Sequence, residues 1–284
     1  MASDLDKLLV FLEVERIDTY LFIGKSPKRP SRVFGGQVAA QALNAASRSV
    51  DDDRFAHSMH AYFLRPGDPS KQIVYEVDPI RDGKSFNTRR VVAKQDGVAI
   101  FNTAVSFQVQ EEGLTHQSTA PEVEGPEELE SDYEYWLRMS EKDPEKYPAP
   151  TINPIERRPI DRRDVLDPDP REPIQNVWVR GRGDLGDDLK RHQTLLAFMS
   201  DFALLSTALY PHPYSGWSNE IQGASLDHAL WFHRPFRADE YLLYCMDSPS
   251  AAAGRGFSRG SFYTRDGVLV ASTAQESLIR LRES

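Results

Sequence analysis

The spacing of apolar residues changes several times along the chain and predicts its helices. Leu5, Leu8, Leu9 and Leu12 recur at the spacing of one helical face, which indicates a short, peripheral amphipathic helix over residues 5–14. Residues 38–46 are rich in alanine on every side, a pattern typical of a helix enclosed by other structure. A third, strongly apolar segment predicts one long helix over residues 188–210.

Short β-branched or aromatic runs bounded by Pro-Gly and Asp-Gly dipeptides predict strands. In the first part of the chain they lie at 59–64, 71–78, 86–94 and 98–109. In the second part they lie at 176–180, 223–233, 240–247, 256–264 and 268–282. A helix followed by an antiparallel meander, twice, predicts an α+β fold in which each sheet wraps its own helix. Edge-to-edge pairing of the halves would make one continuous sheet and cover two exposed edges.

An internal duplication underlies this repeated order. Three short phrases recur at offsets of 169, 171 and 170 residues: Arg65-Pro66 with Arg234-Pro235, Gly83–Phe86 with Gly254–Phe257, and Asp96-Gly97 with Asp266-Gly267. Between the copies, residues 110–173 are rich in acidic residues, Pro and Arg, with one helix-like piece at 127–141. We therefore predict an N-terminal repeat over 1–115, a linker over 116–173 and a C-terminal repeat over 174–284.

Composition excludes several function classes. The net charge of the 284-residue chain is −9 and its Lys and Arg residues are scattered, so we expect neither a nucleic-acid nor a membrane partner. Cys245 is the only cysteine, which excludes an internal disulfide and a cysteine-based metal site and suits a reducing compartment. With an acidic start to the chain and no membrane-length apolar run, these features predict a cytoplasmic protein without a bound metal.

Several phrases, in one order, resemble the acyl-CoA thioesterase II family. They are VFGGQ at 33–37, HSMHAYFLRPGD at 57–68, RDGKSF at 81–86, LDH at 226–228 with WFHRP at 231–235, and YTRDGVLVASTAQE at 263–276. The resemblance runs from about residue 33 to residue 280. It implies a double hotdog fold, in which two tandem hotdog repeats form one antiparallel sheet around two long helices, and hydrolysis of fatty acyl-CoA to fatty acid and coenzyme A without a cofactor.

The resemblance also implies three catalytic positions that hold the attacking water. Carried over by motif, they are Asp201 in MSDF, Ser225 in GASL and Gln275 in STAQ. Thr is the commoner residue at the position of Ser225. Ser keeps the hydroxyl but lacks the β-branch that restricts χ1. The repeat offsets match Ser225 with Ala56 and Gln275 with Val105, which predicts one catalytic site per chain, in the second half.

The residues themselves support part of this hypothesis. Asp201 lies in the apolar helical segment, where an ionised carboxylate needs hydrogen bonds, and a carboxylate held in this way can act as a general base or only brace the helix. Gly35 and Gly36, before the first enclosed helix, either present N–H groups to a thioester carbonyl or only permit close packing. His57, beside Ala56, either lines the substrate site or is structural.

Other functions remain as alternatives. A Ser225–Asp227–His228 triad is excluded by strand alternation, which places Ser225 and Asp227 on one face and His228 on the other. A hotdog enoyl-CoA hydratase or dehydratase is the rival enzyme class, since fold alone does not fix function, and it would need a His beside an acid. A non-catalytic acyl-CoA-binding module is the third possibility. We expect a homodimer or homotetramer, because the open face of such a sheet tends to pack on a copy of itself.

Overall fold

A computed structural model describes residues 3–27 and 32–282, and its first half contains two predicted helices and four predicted strands. The elements are α1 Asp4–Leu12, β1 Glu15–Asp18, β2 Leu21–Gly24, α2 Gly35–Ser47, β3 Phe55–Phe63, β4 Ile73–Asp82, β5 Phe86–Gln95 and β6 Val98–Gln108. The short strands β1 and β2 were not predicted. Ser3 starts α1 with a capping box, in which its hydroxyl accepts from Asp6 N–H.

The second half repeats this arrangement with some irregularities. Two elements lie between the repeats, α3 Asp132–Lys142 and β7 Ile155–Pro159. The second half then contains β8 Ile174–Gly181, α4 Leu189–Ser200, α5 Leu204–Leu209, β9 Ile221–Ser225, β10 Asp227–Phe232, β11 Leu242–Ala252, β12 Arg255–Tyr263 and β13 Leu269–Leu281. None of the helices in the described part of the chain is long and apolar enough to cross a membrane.

The strands form one antiparallel sheet, as predicted. Its order is β1-β2-β4-β5-β6-β3-β10-β13-β12-β11-β8-β7, with β9 paired to β13. The halves meet where β3 pairs with β10, with Met59 opposite Leu230. The order is mirrored about this pair, since β6 and β13 flank it and β5 and β12 follow, as the duplication requires. The meander is confirmed for β4 to β6, but β3 lies beside β6 rather than β4.

Helices α1, α2, α4 and α5 lie on the inner face of this sheet in a core shared by both halves. The small residues of α2 allow a close approach to α4: a Cβ added at Gly36 would lie 2.4 Å from the carbonyl oxygen of Phe198. The enclosed helix is therefore confirmed. The first helix is amphipathic and lies at the periphery, as predicted, because Leu5, Leu9 and Leu12 of α1 are buried in the same core whereas Val10 on its other face is 72% exposed.

The segment between the repeats covers the outer face of the second half. Trp178 Nε1 donates to the carbonyl of Glu124 at 2.8 Å, and Ser118 and Tyr263 share a hydrogen bond of 2.8 Å. The predicted helix is α3, which a capping box at Ser131 begins. Strand β7 also lies within this segment and pairs with β8 at the sheet edge. The division into 1–115, 116–173 and 174–284 stays a prediction.

One long helix over residues 188–210 was the wrong expectation, because the helix breaks after Ser200. Asp201 caps α4, and Ala203 adopts a left-handed conformation with φ 69° before α5 begins. A non-glycine residue in this region costs roughly 1–2 kcal/mol. The apolar pattern continues through the break without Gly or Pro, so the sequence carries no local signal for it. The break leaves Asp201 at the C-terminal cap of α4, where its carboxylate accepts from Gly36 N–H of the first half.

Candidate active site

Asp201 lies at the end of α4, where it meets the start of α2. Its Oδ1 accepts a hydrogen bond of 2.9 Å from the Ser225 hydroxyl, and its Oδ2 accepts one of 2.8 Å from Gly36 N–H. Burial raises the pKa of the Asp201 carboxyl above its ordinary value, and these hydrogen bonds oppose the rise. The carboxylate is thus held by both halves of the chain.

Ser225 ends β9 and points inward, toward the helices. Gln275, on the neighbouring strand β13, donates through Nε2 to Ser225 Oγ at 3.0 Å and to Ser277 Oγ at 3.1 Å. The structure therefore brings together Asp201, Ser225 and Gln275. Their contacts form a line in which the amide donates to the hydroxyl and the hydroxyl donates to the carboxylate.

A cavity of about 520 Å³ opens on this group at the junction of the halves. Asp201, Ser225 and Gly35 lie in its wall, whereas Gln275 lies behind Ser225 and is 1% exposed. The rest of the wall is largely apolar and includes Val33, Val38, Phe63, Leu64, Ile100, Phe101 and Leu205. Such a cavity, apolar with a few convergent polar groups, suits a small-molecule ligand with an apolar part.

The two predicted glycines occupy this wall for different reasons. A Cβ added at Gly35 would lie 2.7 Å from Asp201 Oδ2 and 2.9 Å from the Phe63 ring, so the close approach requires glycine. The N–H of Gly36 is already used by Asp201. Gly35 N–H makes no hydrogen bond to any residue in 3–27 or 32–282, and it lies at the N-terminus of α2, where the helix dipole favours negative charge.

His57 is not part of this cavity. It lies in β3, where its Nε2 is 2.8 Å from Ser106 Oγ and its ring contacts Phe86 edge to face. Burial lowers the pKa of His57. His57 was expected either to line the substrate site or to be structural, and these surroundings favour a structural role.

A β-bulge places His228 on the inner face, against the expectation from strand alternation. Ser225 pairs with Ser277, but Ala229 pairs with Ala274, so three residues of one strand stand opposite two of the other. The extra residue reverses the alternation after Leu226. Ser225 and His228 both point inward, and Asp227 points away, accepting from Glu276 N–H at 2.6 Å. The proposed exclusion of a Ser225–Asp227–His228 triad holds, but for another reason: these three side chains are not hydrogen-bonded to one another.

His228 is a functional candidate that the sequence analysis missed. Its Nδ1 lies 2.7 Å from Gln275 Oε1 and its Nε2 lies 2.8 Å from Ser200 Oγ. A bulge is not visible in the apolar pattern, and that is why the alternation rule failed. The described residues include no group of three or more His, Cys, Asp or Glu side chains arranged to hold a metal ion.

Comparisons with known proteins show the family to which the chain belongs. Residues 152–278 match the family model described as acyl-CoA thioesterase, and residues 25–108 match that described as the acyl-CoA thioesterase N-terminal domain. The chain is 41% identical to human acyl-coenzyme A thioesterase 8, over 99% of this chain and 91% of that protein. It is 38% identical to acyl-CoA thioesterase 2 of Haemophilus influenzae, over 100% of both chains.

The solved structures include a similar whole chain. The acyl-CoA thioesterase II TesB2 from Mycobacterium marinum superposes with a TM-score of 0.79 and 40% identity, covering 96% of this chain and 98% of that one.

Proposed function

Because the chain belongs to the acyl-CoA thioesterase II family and is a thioester hydrolase, we propose that it cleaves fatty acyl-CoA by direct attack of a water molecule activated by Asp201. Ser225 and Gln275 orient the groups that hold this water. The observation that carries the proposal is the contact of Asp201 with both Ser225 and Gly36 in the wall of a largely apolar cavity. Loss of thioesterase activity in an Asp201→Asn variant, developed in the Discussion, is the test.

The proposed reaction uses the free lone pairs of Asp201 on the cavity side. Water attacks the thioester carbonyl carbon and transfers a proton to the Asp201 carboxylate. The thioester carbon thereby becomes tetrahedral, and its former carbonyl oxygen carries a negative charge. In this proposal the N–H of Gly35, at the N-terminus of α2, stabilises this oxyanion. The C–S bond then breaks, and the coenzyme A sulfur leaves with the proton from Asp201. The products are a fatty acid and free coenzyme A, and the carboxylate is regenerated.

Two arginines at the cavity suit the phosphates of coenzyme A. Arg32 and Arg65 line the same cavity as Asp201. Arg32 donates to the backbone carbonyl of Gly223 at 2.6 Å, and Arg65 donates to that of Ala99 at 2.8 Å. Neither forms an ion pair with a described residue of the chain. Arg234, the repeat counterpart of Arg65, bonds Leu269 O and also Thr115 and His116. The corresponding nitrogen of Arg65 has no such protein partner in the described ranges, which leaves it free to bind phosphate.

An Arg32→Gln/Arg65→Gln double variant is expected to raise KM for acyl-CoA roughly 10-fold, since hydrogen bonds to charged groups are lost. Its KM for an acyl-pantetheine thioester, which lacks the nucleotide, should stay unchanged. Thiol release measured on both substrates checks this, with Arg234→Gln as the matched control that loses the same carbonyl contact. An equal rise in KM for both substrates would place the phosphates elsewhere.

The rival hydratase hypothesis needs a histidine that reaches the substrate. His228 lies near Asp201, but it is 1% exposed and both ring nitrogens already have protein partners. This arrangement favours hydrolysis. Enoyl-CoA hydration assayed beside thioester hydrolysis distinguishes the two reactions, and binding of acyl-CoA without turnover would identify a non-catalytic module.

The outer face of the central strands suits a second copy of the chain. His60 and Trp231 pack edge to face across the junction of the halves, and Tyr62 beside them is 60% exposed. We expect at least a dimer formed through this face. Light scattering at micromolar concentration should give a mass of at least twice 32.2 kDa, and Tyr62→Asp should lower it. A monomer mass for the wild-type protein would contradict the dimer.

A further inference from the structure

Three polar side chains are buried behind Ser225 without reaching the cavity. Ser200 is 0% exposed, and His228 and Gln275 are each 1% exposed. Burying polar groups in a protein core is unfavourable unless all of them are hydrogen-bonded. Here they are linked in sequence, from Ser200 through His228 to Gln275, and Gln275 continues to Ser225 and so to Asp201.

The donor and acceptor capacities of these groups define the direction of the chain. Ser225 has one proton, which it donates to Asp201, so the Gln275 atom 3.0 Å from Ser225 Oγ has to be the NH2 group. With the amide reversed, Ser225 would face two acceptors with one proton. Gln275 Oε1 therefore faces His228, and Nδ1 of the ring must carry a proton to donate to it. Ser200 Oγ lies 2.8 Å from Nε2 and also donates to the carbonyl oxygen of Ala197 at 3.0 Å, so the hydroxyl holds the ring at its other nitrogen.

The first half of the molecule shows that the fold does not need this polar chain. It contains the same bulge, since Ala56 pairs with Phe107 and Ser58 with Ser106, which leaves His57 as the extra residue. At the repeat offsets of 169 and 170 residues, the counterparts of His228 and Gln275 are Met59 and Val105. Both are 0% exposed. An apolar pair thus fills the equivalent place, and the polar pair occurs only beside Asp201.

We propose that His228 is a positioning residue for hydrolysis, which fixes the amide of Gln275 through Nδ1–H and thereby directs the Ser225 hydroxyl to Asp201. Ser200 in turn holds the ring through Nε2. This inference rests on the proposed function of Asp201, Ser225 and Gln275. If His228 is absent, the amide can reverse, the Ser225 proton turns to Gln275, and the carboxylate loses a hydrogen bond that orients it toward the water.

Two substitutions of His228 distinguish the effect of losing the Nδ1–H donor from the effect of losing the volume of the ring. Phe fills the space but donates nothing, and His228→Phe is expected to lower kcat roughly 10–100-fold, the range found for groups that orient the ligands of a reacting centre. Asn offers an amide N–H near the position of Nδ1. His228→Asn is expected to retain a kcat at least about fivefold above that of His228→Phe, as one hydrogen bond would give. KM for acyl-CoA should change little in both.

A double-mutant cycle with Gln275→Ala tests whether His228 acts through the amide. The His228→Phe/Gln275→Ala variant is expected to have a kcat within about twofold of Gln275→Ala alone, because the second change removes nothing further. A merely structural histidine would multiply the two losses. Should His228→Phe fail to fold, the same cycle with Ser200→Ala gives the answer, since this replacement releases the ring at Nε2 and leaves a smaller side chain in the core.

His233→Phe is the matched control. His233 directly follows β10, does not line the cavity, and its Nε2 lies 2.8 Å from the hydroxyl oxygen of a serine, Ser272. It should leave kcat at the wild-type value. The proposal is overturned if His228→Phe keeps near wild-type kcat, if the two losses multiply, or if His228→Asn is as slow as His228→Phe. Wild-type kcat in Gln275→Ala alone would instead contradict the proposed function of Gln275.

Discussion

Replacement of Asp201 by Asn is expected to lower kcat for acyl-CoA hydrolysis roughly 10²–10⁴-fold, with a smaller effect on KM. Asparagine keeps the shape of the side chain and can still accept from Gly36 N–H, while its NH2 group turns to Ser225 Oγ. It cannot take a proton from water, so the loss should fall on the chemical step. Thiol release under saturating and limiting substrate measures kcat and KM separately.

Asp227→Asn is the matched control for this variant. Asp227 lies two residues from Ser225, but its carboxylate accepts from Glu276 N–H and does not line the cavity. Its replacement should leave kcat close to the wild-type value. A folded Asp201→Asn protein that hydrolyses acyl-CoA at near wild-type rate would show that Asp201 is not the base.

The same substitution should stabilise the protein at neutral pH. The pKa of Asp201 is raised in the folded state, so folding favours its neutral form. A carboxyl of this kind contributes stability below its unfolded pKa, about 4, and loses that contribution as the pH rises through the folded pKa. Asp201→Asn is therefore expected to unfold at a higher temperature than the wild type at pH 8, with a difference that shrinks toward pH 4. Activity should fall on the acid side at a pH above the ordinary Asp range.

Replacement of Gly36 by Ala is expected to destabilise the fold and reduce activity together. The added Cβ would lie 2.4 Å from the carbonyl oxygen of Phe198. Because that atom belongs to the backbone of α4, the two helices would have to move apart. Overpacking of this kind costs roughly 1–3 kcal/mol, which corresponds to a drop in Tm of roughly 2–12 °C. The movement also withdraws the Gly36 N–H from Asp201.

Thermal unfolding and thiol release measure both effects of Gly36→Ala. Gly113→Ala is the control, since a Cβ there meets no atom within 4 Å. An unchanged Tm in Gly36→Ala would mean that the contact between α2 and α4 is not as close as described.

The continuous antiparallel sheet, the meander of β4 to β6 and the enclosed helix could be predicted because they rest on patterns that the sequence repeats. Dipeptides such as Asp96-Gly97 and Asp266-Gly267 mark turns in both halves, and the alanines of α2 indicate burial directly. The resemblance supplied Asp201, Ser225 and Gln275, and the structure brings them into contact.

Two local irregularities near Asp201 could not be predicted. Both the break at Ala203 and the bulge at Leu226 are backbone conformations imposed by tertiary packing, and neither is marked by Gly or Pro. The bulge matters most, because one extra residue exchanges the faces of the strand and brings His228 behind Gln275. Departures from local rules of this kind tend to occur at functional sites.

A single turnover in H2(18)O, with enzyme in excess over acyl-CoA, tests most directly whether water attacks the thioester. Mass spectrometry of the quenched reaction measures the fatty acid and the intact enzyme together. Direct attack with Asp201 as base predicts one (18)O atom in the fatty acid, no label in Asp201 and no acyl adduct on the enzyme. An unlabelled fatty acid with (18)O in Asp201, or an acyl group on Ser225, would contradict the account.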